Sequence, residues 1–228
     1  MAPPAAPGVG YARPDKLEAM AGLREPKAFH ILPALVPLAV ACAALAGCET
    51  KARTYEEEIL AARAEKDRAF REAADSPIPP ERRASWPPLV YFPVDESYRV
   101  PAALEPAQNG ETVVVPTSTG ERRPMRRAGT LAFTLKGRRL RLTAFVDPTA
   151  RGPLRLFVPF ADLTNGTETY PGGRYLDLDP TPTGIYDLDF NRAYNPYCAY
   201  NPSYDCPFPP AENRLPLPVR AGEKLPPA

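Results

Sequence analysis

Two blocks of residues concentrate the groups that could do chemistry. The first holds Asp162, Thr164, Thr169, Tyr170, Gly173 and Arg174. Gly166, Gly172 and Gly173 permit positive φ and close backbone approach there, and Arg174 could clamp a carboxylate or phosphate through two parallel N–H donors. A buried ion pair of Arg174 with Asp162 or Glu223, locking the fold, uses the same residues equally well. The second block runs Asp189-Phe190-Asn191-Arg192-Ala193-Tyr194-Asn195-Pro196. Its carboxylate and amides either hold irregular backbone by Asx-type bonds or line a pocket. Asp162 and Asp189, with Tyr170, would support acid–base hydrolysis if burial raised one carboxyl pKa.

The chemistry that is missing narrows the field further. The only histidine, His30, lies in an N-terminal leader, so Ser-His-Asp and Cys-His catalysis and histidine metal sites are not expected of the remaining chain. Asp177, Asp179, Asp187 and Asp189 would share one face of a hairpin turned at Pro180 to Gly184 and could invite a hard cation. Nothing there resembles a calcium loop, so a solvated acidic face is expected, with no metal and no cofactor. Cys198 and Cys206 fit a structural disulfide worth roughly 2.5 kcal/mol by loop-entropy arithmetic. Two free thiols, or a redox pair spaced unlike C-x-x-C, are the alternatives.

The N-terminal region supplies an address. Arg24 and Lys27 precede an apolar run from Ile31 to Ala46, which Gly47 and Cys48 follow; this is a signal-peptide layout. Leu45-Ala46-Gly47-Cys48 resembles the lipobox of bacterial lipoproteins, which implies a diacylglyceryl (palmitate-type) modification on the Cys48 thiol and cleavage before it. Pro33 and Pro37 interrupt the run, and it is shorter than the roughly 20 apolar residues that span a bilayer. Met20 gives the leader a conventional length, so Met20 and Met1 are both candidate starts. Glu49, where an inner-membrane retention signal often carries aspartate, favours an outer membrane if the organism has one.

These segments divide the chain into a leader and signal peptide at 1–47, an anchor, linker and helix at 48–80, and a β domain at 81–228. The 28 basic and 27 acidic residues nearly cancel, which gives no general drive toward nucleic acid or anionic lipid. The 32 prolines among 228 residues far exceed the usual frequency of about 5% and limit long helices. Residues 54–74 lack proline and glycine and open on Thr54 and a glutamate triplet, which predicts one helix with a thin apolar stripe of Tyr55, Ile59, Leu60, Ala62 and Phe70. Beyond Ser76-Pro77 the apolar period becomes two. Leu131, Phe133 and Leu135, then Leu140, Leu142, Ala144 and Val146 about a Lys136-Gly137-Arg138 turn, predict a hairpin, and Leu154, Leu156, Val158 and Phe160 extend it to a meander. Short strands are expected at 88–92, 112–116, 174–178 and 185–190. The fold class is therefore mainly β: an antiparallel sandwich or roll, or a partly open barrel, preceded by one N-terminal helix.

The runs FADLTNGTETYPGGRYL (160–176) and DFNRAYNPYCAYNPSYDCPFPPAENRLPLPVRAGEK (189–224) resemble the bacterial and archaeal family known as domain of unknown function 1684, as do Ser76-Pro77 and Tyr98-Arg99-Val100. The resemblance covers most of residues 54–224 and implies kinship without an assigned activity. The extra tryptophan-rich segment of longer members is lacking here. The expectation from all of this is a membrane-tethered extracytoplasmic lipoprotein that binds a small molecule or an envelope partner through a polar cleft. Arg174, Asn191 and Asn195 would orient the ligand, with Asp162 and Asp189 beside them, and Tyr170 and Tyr194 would supply contact area. A metal-independent hydrolase using Asp189 and Asp162 is the enzyme alternative; a purely structural envelope protein is the third.

Overall fold

Thr54 starts the first helix by a reciprocal exchange of hydrogen bonds. Its hydroxyl accepts from the Glu57 backbone N–H, while the Glu57 carboxylate accepts from the Thr54 N–H, so two otherwise orphaned donors are satisfied. Helix α1 (Tyr55–Glu72) then runs 18 residues, with glutamates in its first turn and Arg71 in its last, and buries Ile59, Lys66 and Phe70. The computed structural model describes residues 52–149 and 154–227. The leader, His30 and Cys48 lie outside the described residues. A single turn, α2 (Pro80–Arg83), follows with proline at its start.

The rest is antiparallel β: β1 (Arg99–Pro106), β2 (Thr112–Pro116), β3 (Arg122–Leu135), β4 (Arg138–Val146), β5 (Leu156–Phe160), β6 (Arg174–Leu178) and β7 (Ile185–Asp189). They form one curled sheet in the order β6-β5-β4-β3-β1-β7, with β2 also paired to β3. The expected meander is β3-β4-β5. Its first turn is the tight primed kind, with Lys136 at φ 48° and Gly137 at φ 77°. Lysine at a positive φ is uncommon; here its ammonium lies 4.3 Å from the Tyr98 ring centre and bonds the Ser97 hydroxyl.

Strand β3 has 14 residues and two neighbours on one edge: its first half pairs with β2 and its second with β1. The change falls at a bulge between Arg127 and Gly129, where the extra residue bends the strand and sharpens its twist. A Cβ on Gly129 would sit 2.4 Å from the Glu105 carbonyl oxygen, so the residue at the bend has to be glycine. The resulting curl makes a half-barrel. Its concave face collects Leu131, Phe133, Leu135, Leu140, Leu142, Ala144, Leu156, Val158, Phe160, Leu176, Leu188 and Phe190.

The final segment fills that half-barrel. Leu215, Leu217, Val219 and Ala221 alternate with Arg214, Pro216, Pro218 and Arg220, and all four apolar side chains enter the core. The alternation is that of a strand, but proline has no N–H to give a ladder, and the segment is stitched in irregularly instead. Leu215 N–H donates to the Ala161 carbonyl at 2.8 Å, Glu223 N–H to Ala193 at 2.9 Å and Lys224 N–H to Val90 at 2.8 Å. Outside this core, Phe70 of α1 meets Tyr200, Trp86, Ile78 and Leu89 in a second cluster, and Val115, Met125 and Phe145 make a third.

One expected hairpin does not form. Strands β6 and β7 flank Pro180 to Gly184, but β6 pairs with β5 and β7 pairs with β1. The inner faces of both strands belong to a half-barrel whose two ends they occupy, so neighbouring strands claim their ladders. The 88–92 segment contributes a single bridge, Tyr91 to Glu223.

Candidate functional site

The first chemistry-bearing block and the Ala193–Asn195 end of the second meet on the C-terminal segment that fills the half-barrel, whereas Asp189 and Asn191 bond elsewhere. Arg174, the first residue of β6, is fully buried, and its guanidinium reaches across to that segment. Nη1 donates to the Ala221 carbonyl and, at 3.1 Å, to Glu223; Nη2 donates to the Val219 carbonyl at 2.7 Å and to Asp162 Oδ2 at 2.8 Å. A segment that prolines keep out of the sheet has carbonyls without ladder donors, and buried carbonyls demand partners. Arg174 supplies them from one rigid planar group. Burial pulls the Arg174 pKa down and the charge of Asp162 pushes it back up. Of its nitrogens, Nε has no partner among the described residues.

Asp162 completes this knot. Its Oδ1 accepts from the Thr164 N–H at 2.8 Å, the Thr164 hydroxyl at 2.6 Å and the Val219 N–H at 3.1 Å. The Thr169 hydroxyl lies 2.8 Å from that of Thr164, and Asn165 donates to the Tyr170 carbonyl at 2.6 Å. The loop is thus an Asx-type turn closed on itself. Gly173, at φ 88°, lies where a Cβ would meet Pro209 at 2.5 Å and the Phe160 carbonyl at 2.7 Å.

Asp189 sits 4% exposed at the end of β7. Its Oδ1 accepts from the Asn191 N–H at 2.9 Å, from Asn191 Nδ2 at 3.1 Å and from the Tyr55 hydroxyl of α1 at 2.9 Å. Oδ2 lies 3.2 Å from Arg192 Nε, an ion-pair contact that lacks hydrogen-bond geometry. The Asn191 side chain also bonds the backbone of Asp95 twice, accepting from its N–H at 3.0 Å and donating to its carbonyl at 2.8 Å. This amide imitates a strand partner for residues that lead into β1. Burial and the Asp189 carboxylate push the Tyr55 hydroxyl pKa upward.

A third knot joins helix α1 to the domain. Lys66 pairs with Glu223, which is 1% exposed. The other oxygen of that carboxylate accepts from the Asn195 N–H and the Tyr200 hydroxyl, each at 2.7 Å. Asn195 Nδ2 donates to the Lys224 carbonyl at 2.8 Å. The Lys66 ammonium also lies 4.9 Å from the centre of the Tyr194 ring, and the Tyr194 hydroxyl donates to Asp177 at 2.9 Å. Burial raises the Asp177 pKa, which the Tyr194 bond opposes.

The seven residues predicted to line a cleft are therefore placed as follows. Asp162, Arg174, Asp189, Asn191 and Asn195 are buried and bonded to one another, to backbone, or to α1; Tyr170 and Tyr194 are half-buried. They brace the backbone and do not open on a polar cleft, because an irregular proline-rich chain leaves more unpaired backbone groups than a sheet does. The four aspartates are dispersed too: Asp179 pairs with Arg155 at 2.7 Å and Asp187 with Arg99 at 2.7 Å. Among the described residues no cluster of three or more metal-ligating side chains occurs. Sequence reading missed Lys66, Tyr200 and Asn213. Asn213 is fully buried between β4 and β5, accepting from the Thr143 N–H at 2.7 Å and donating to the Thr143 and Pro159 carbonyls. A lysine within a thin helical stripe and an asparagine before Leu-Pro-Leu-Pro were the available signals.

Cys198 and Cys206 neighbour each other as thiols, the Cys198 N–H donating to Cys206 Sγ at 3.3 Å. An open depression lies elsewhere, between β1 and β7, bordered by Arg99, Val100, Pro101, Ile185, Tyr186 and Asp187.

A curled antiparallel half-barrel, closed by a buried arginine–aspartate knot on a proline-rich tail, defines the class of domain. The family profile described as "Protein of unknown function (DUF1684)" matches residues 84–224, and the chain belongs to this family. It is similar to the solution NMR structure of an uncharacterized protein of Haloarcula marismortui, at 40% identity and a TM-score of 0.59, over 75% of this chain and 94% of that one. No curated protein matches. Helix α1 lies before the matched residues and still supplies Tyr55 and Lys66 to the buried knots.

Proposed function

We propose that the chain is a lipid-anchored extracytoplasmic lipoprotein whose β domain works by binding an envelope partner, without catalysis. The observation that carries the non-catalytic reading is the burial and structural engagement of Asp162 and Asp189. Both Asp162 oxygens and Asp189 Oδ1 accept hydrogen bonds, and Asp189 Oδ2 is buried beside Arg192, so neither carboxylate is presented to a substrate as a general base or nucleophile has to be. The depression between β1 and β7 is the contact surface we assign, because Ile185 stays 51% exposed beside Val100 and Pro101 while the Arg99–Asp187 pair frames it. Isolated exposed apolar residues are ordinary; here the residue borders a shallow, open depression beside a charged pair, a small apolar patch with a polar rim.

The anchor reading rests on Leu45-Ala46-Gly47-Cys48 behind a basic, then apolar, leader. Two acyl chains suffice for stable attachment, at about 0.8 kcal/mol for each buried methylene. The test is expression in a bacterial host with its own lipoprotein-processing machinery, followed by mass spectrometry of the N-terminal peptide and in-cell crosslinking from a photoreactive residue at position 185. Support is a diacylglyceryl-modified peptide beginning at Cys48, lost in Cys48→Ser, together with one discrete crosslinked partner. An unmodified N-terminus would overturn the anchor, and a crosslinking pattern no different from that of a site on α1 would overturn the surface.

A further inference from the structure

The Tyr- and Pro-rich segment 194–210 carries two sulfurs that the scaffold does not use. Cys198 lies in the short turn Tyr197–Ala199 and is partly exposed, whereas Cys206 is 4% exposed. Backbone bonds tie the second sulfur's position to the strand system: Ser118 N–H donates to the Cys206 carbonyl at 2.9 Å, Cys206 N–H donates to the Ser118 hydroxyl at 3.1 Å, and Phe208 N–H donates to Pro116 at 2.9 Å. The loop between the sulfurs is itself an Asx turn, with Asn201 Oδ1 accepting from the Ser203 N–H at 3.0 Å and from its hydroxyl at 2.8 Å. The Tyr170 hydroxyl lies 3.8 Å from Cys198 Sγ. Cys198 is therefore the more exposed residue of the pair, and Cys206 is buried on fixed backbone.

We propose that Cys198 and Cys206 form a thiol–disulfide exchange site for small disulfides of the glutathione type, with Cys198 attacking and Cys206 resolving. In the first step the Cys198 thiolate attacks one sulfur of the small disulfide. A mixed disulfide forms on Cys198 and one thiolate leaves. In the second step Cys206 loses its proton to solvent and attacks Cys198 Sγ, closing the 198–206 bridge and releasing the second thiolate. Two electrons pass from the cysteine pair to the small disulfide, which leaves as two thiols.

The division of labour follows from the surroundings. The Tyr170 hydroxyl lies beside the Cys198 sulfur, and the neighbouring Cys206 thiol does most to pull the Cys198 pKa down, against the opposing effect of burial. The same partnership, with burial, pushes Cys206 up. Arg123, paired with Asp205 at 2.8 Å, faces the pair from β3, and Tyr175 faces it from β6. A lowered pKa leaves more of Cys198 as thiolate at neutral pH, at some cost in intrinsic nucleophilicity.

The experiment incubates the reduced full-length chain in detergent with oxidised glutathione and follows each cysteine by quenching and peptide mass spectrometry, which separates Cys198 and Cys206 from Cys42 and Cys48. The expected wild-type product is the 198–206 bridge with only transient glutathione on Cys198, and a rate of first attack that rises to a plateau with an inflection below the ordinary thiol range. Cys206→Ala is expected to stop at the Cys198 mixed disulfide with its inflection moved upward, and Cys198→Ala to leave Cys206 unmodified. Cys206 modified first, no bridge in the wild type, or an inflection in the ordinary thiol range would each overturn the proposal. The wild-type pH profile decides the matter even if a variant fails to fold.

Discussion

Replacing Arg174 with methionine removes the buried cation that braces the half-barrel's filling while keeping a long, unbranched side chain there. The side chains of Arg174 and Asp162 are both fully buried, so the substitution leaves an uncompensated carboxylate, a loss of about 3–5 kcal/mol. The carbonyls of Val219, Ala221 and Glu223 lose their donor as well, at about 1 kcal/mol or more each if they stay dry. These contributions overlap, and about 4–7 kcal/mol is the expected total, against about 5–15 kcal/mol for a whole domain. Urea unfolding of the domain from residue 53 onward, followed by fluorescence of Trp86 and by far-ultraviolet circular dichroism, reads this as a midpoint lowered by about 2–3.5 M at a slope near 2 kcal/mol per M. Adding Asp162→Asn should restore about 1–3 kcal/mol, because the amide would keep an oxygen for Thr164 and Val219 while removing the stranded charge. A loss below about 1 kcal/mol in Arg174→Met would refute the reasoning and leave Arg174 free for a ligand.

Lys66→Met should cost about 2–4 kcal/mol by stranding Glu223, and amide hydrogen exchange should show α1 opening before the sheet. Gly173→Ala needs a Cβ within 2.7 Å of the Phe160 carbonyl and a positive φ, so it should destabilise by about 2 kcal/mol or more in the same urea assay. Asp177 gives a pH signature. Its folded pKa is raised above the ordinary 3.8, so the folded state binds the proton more tightly, and stability is lost as pH rises from 3.8 through the folded value. Asp177→Asn, which keeps an acceptor for Tyr194, should therefore be more stable than wild type at pH 7 and should lose that advantage near pH 3; equal gaps at both values would contradict the sign.

The half-barrel was legible because its central strands alternate cleanly: Leu131 to Leu135 and Leu140 to Val146 can face only one core. The capping box at Thr54 and the turn at Lys136-Gly137 were equally readable, since both are local. Strand β1 was not, because Pro101, Pro106 and Glu105 disguise it and its partners lie on β3 and β7, distant in sequence. The polar blocks were legible as unusual but ambiguous in purpose. A buried arginine bracing carbonyls and an exposed arginine holding a ligand share one residue type, and only the path of the 214–225 segment tells them apart. The β6–β7 hairpin was misread for the same reason: alternation fixes which face a residue takes and does not say which strand lies alongside. Lys66 and Glu223 lie far apart in the chain, and no local pattern joins them.

The most direct test of the scaffold reading is the 15N–1H NMR spectrum of the Arg174 guanidinium, assigned by comparison with Arg174→Met. A side chain held by Asp162 and three carbonyls should show separate Nη proton signals that persist at neutral pH, because each proton is bonded and shielded from water. A single averaged signal that exchanges rapidly with solvent would mean that the guanidinium is open and mobile, and the domain would have to be reconsidered as a ligand site.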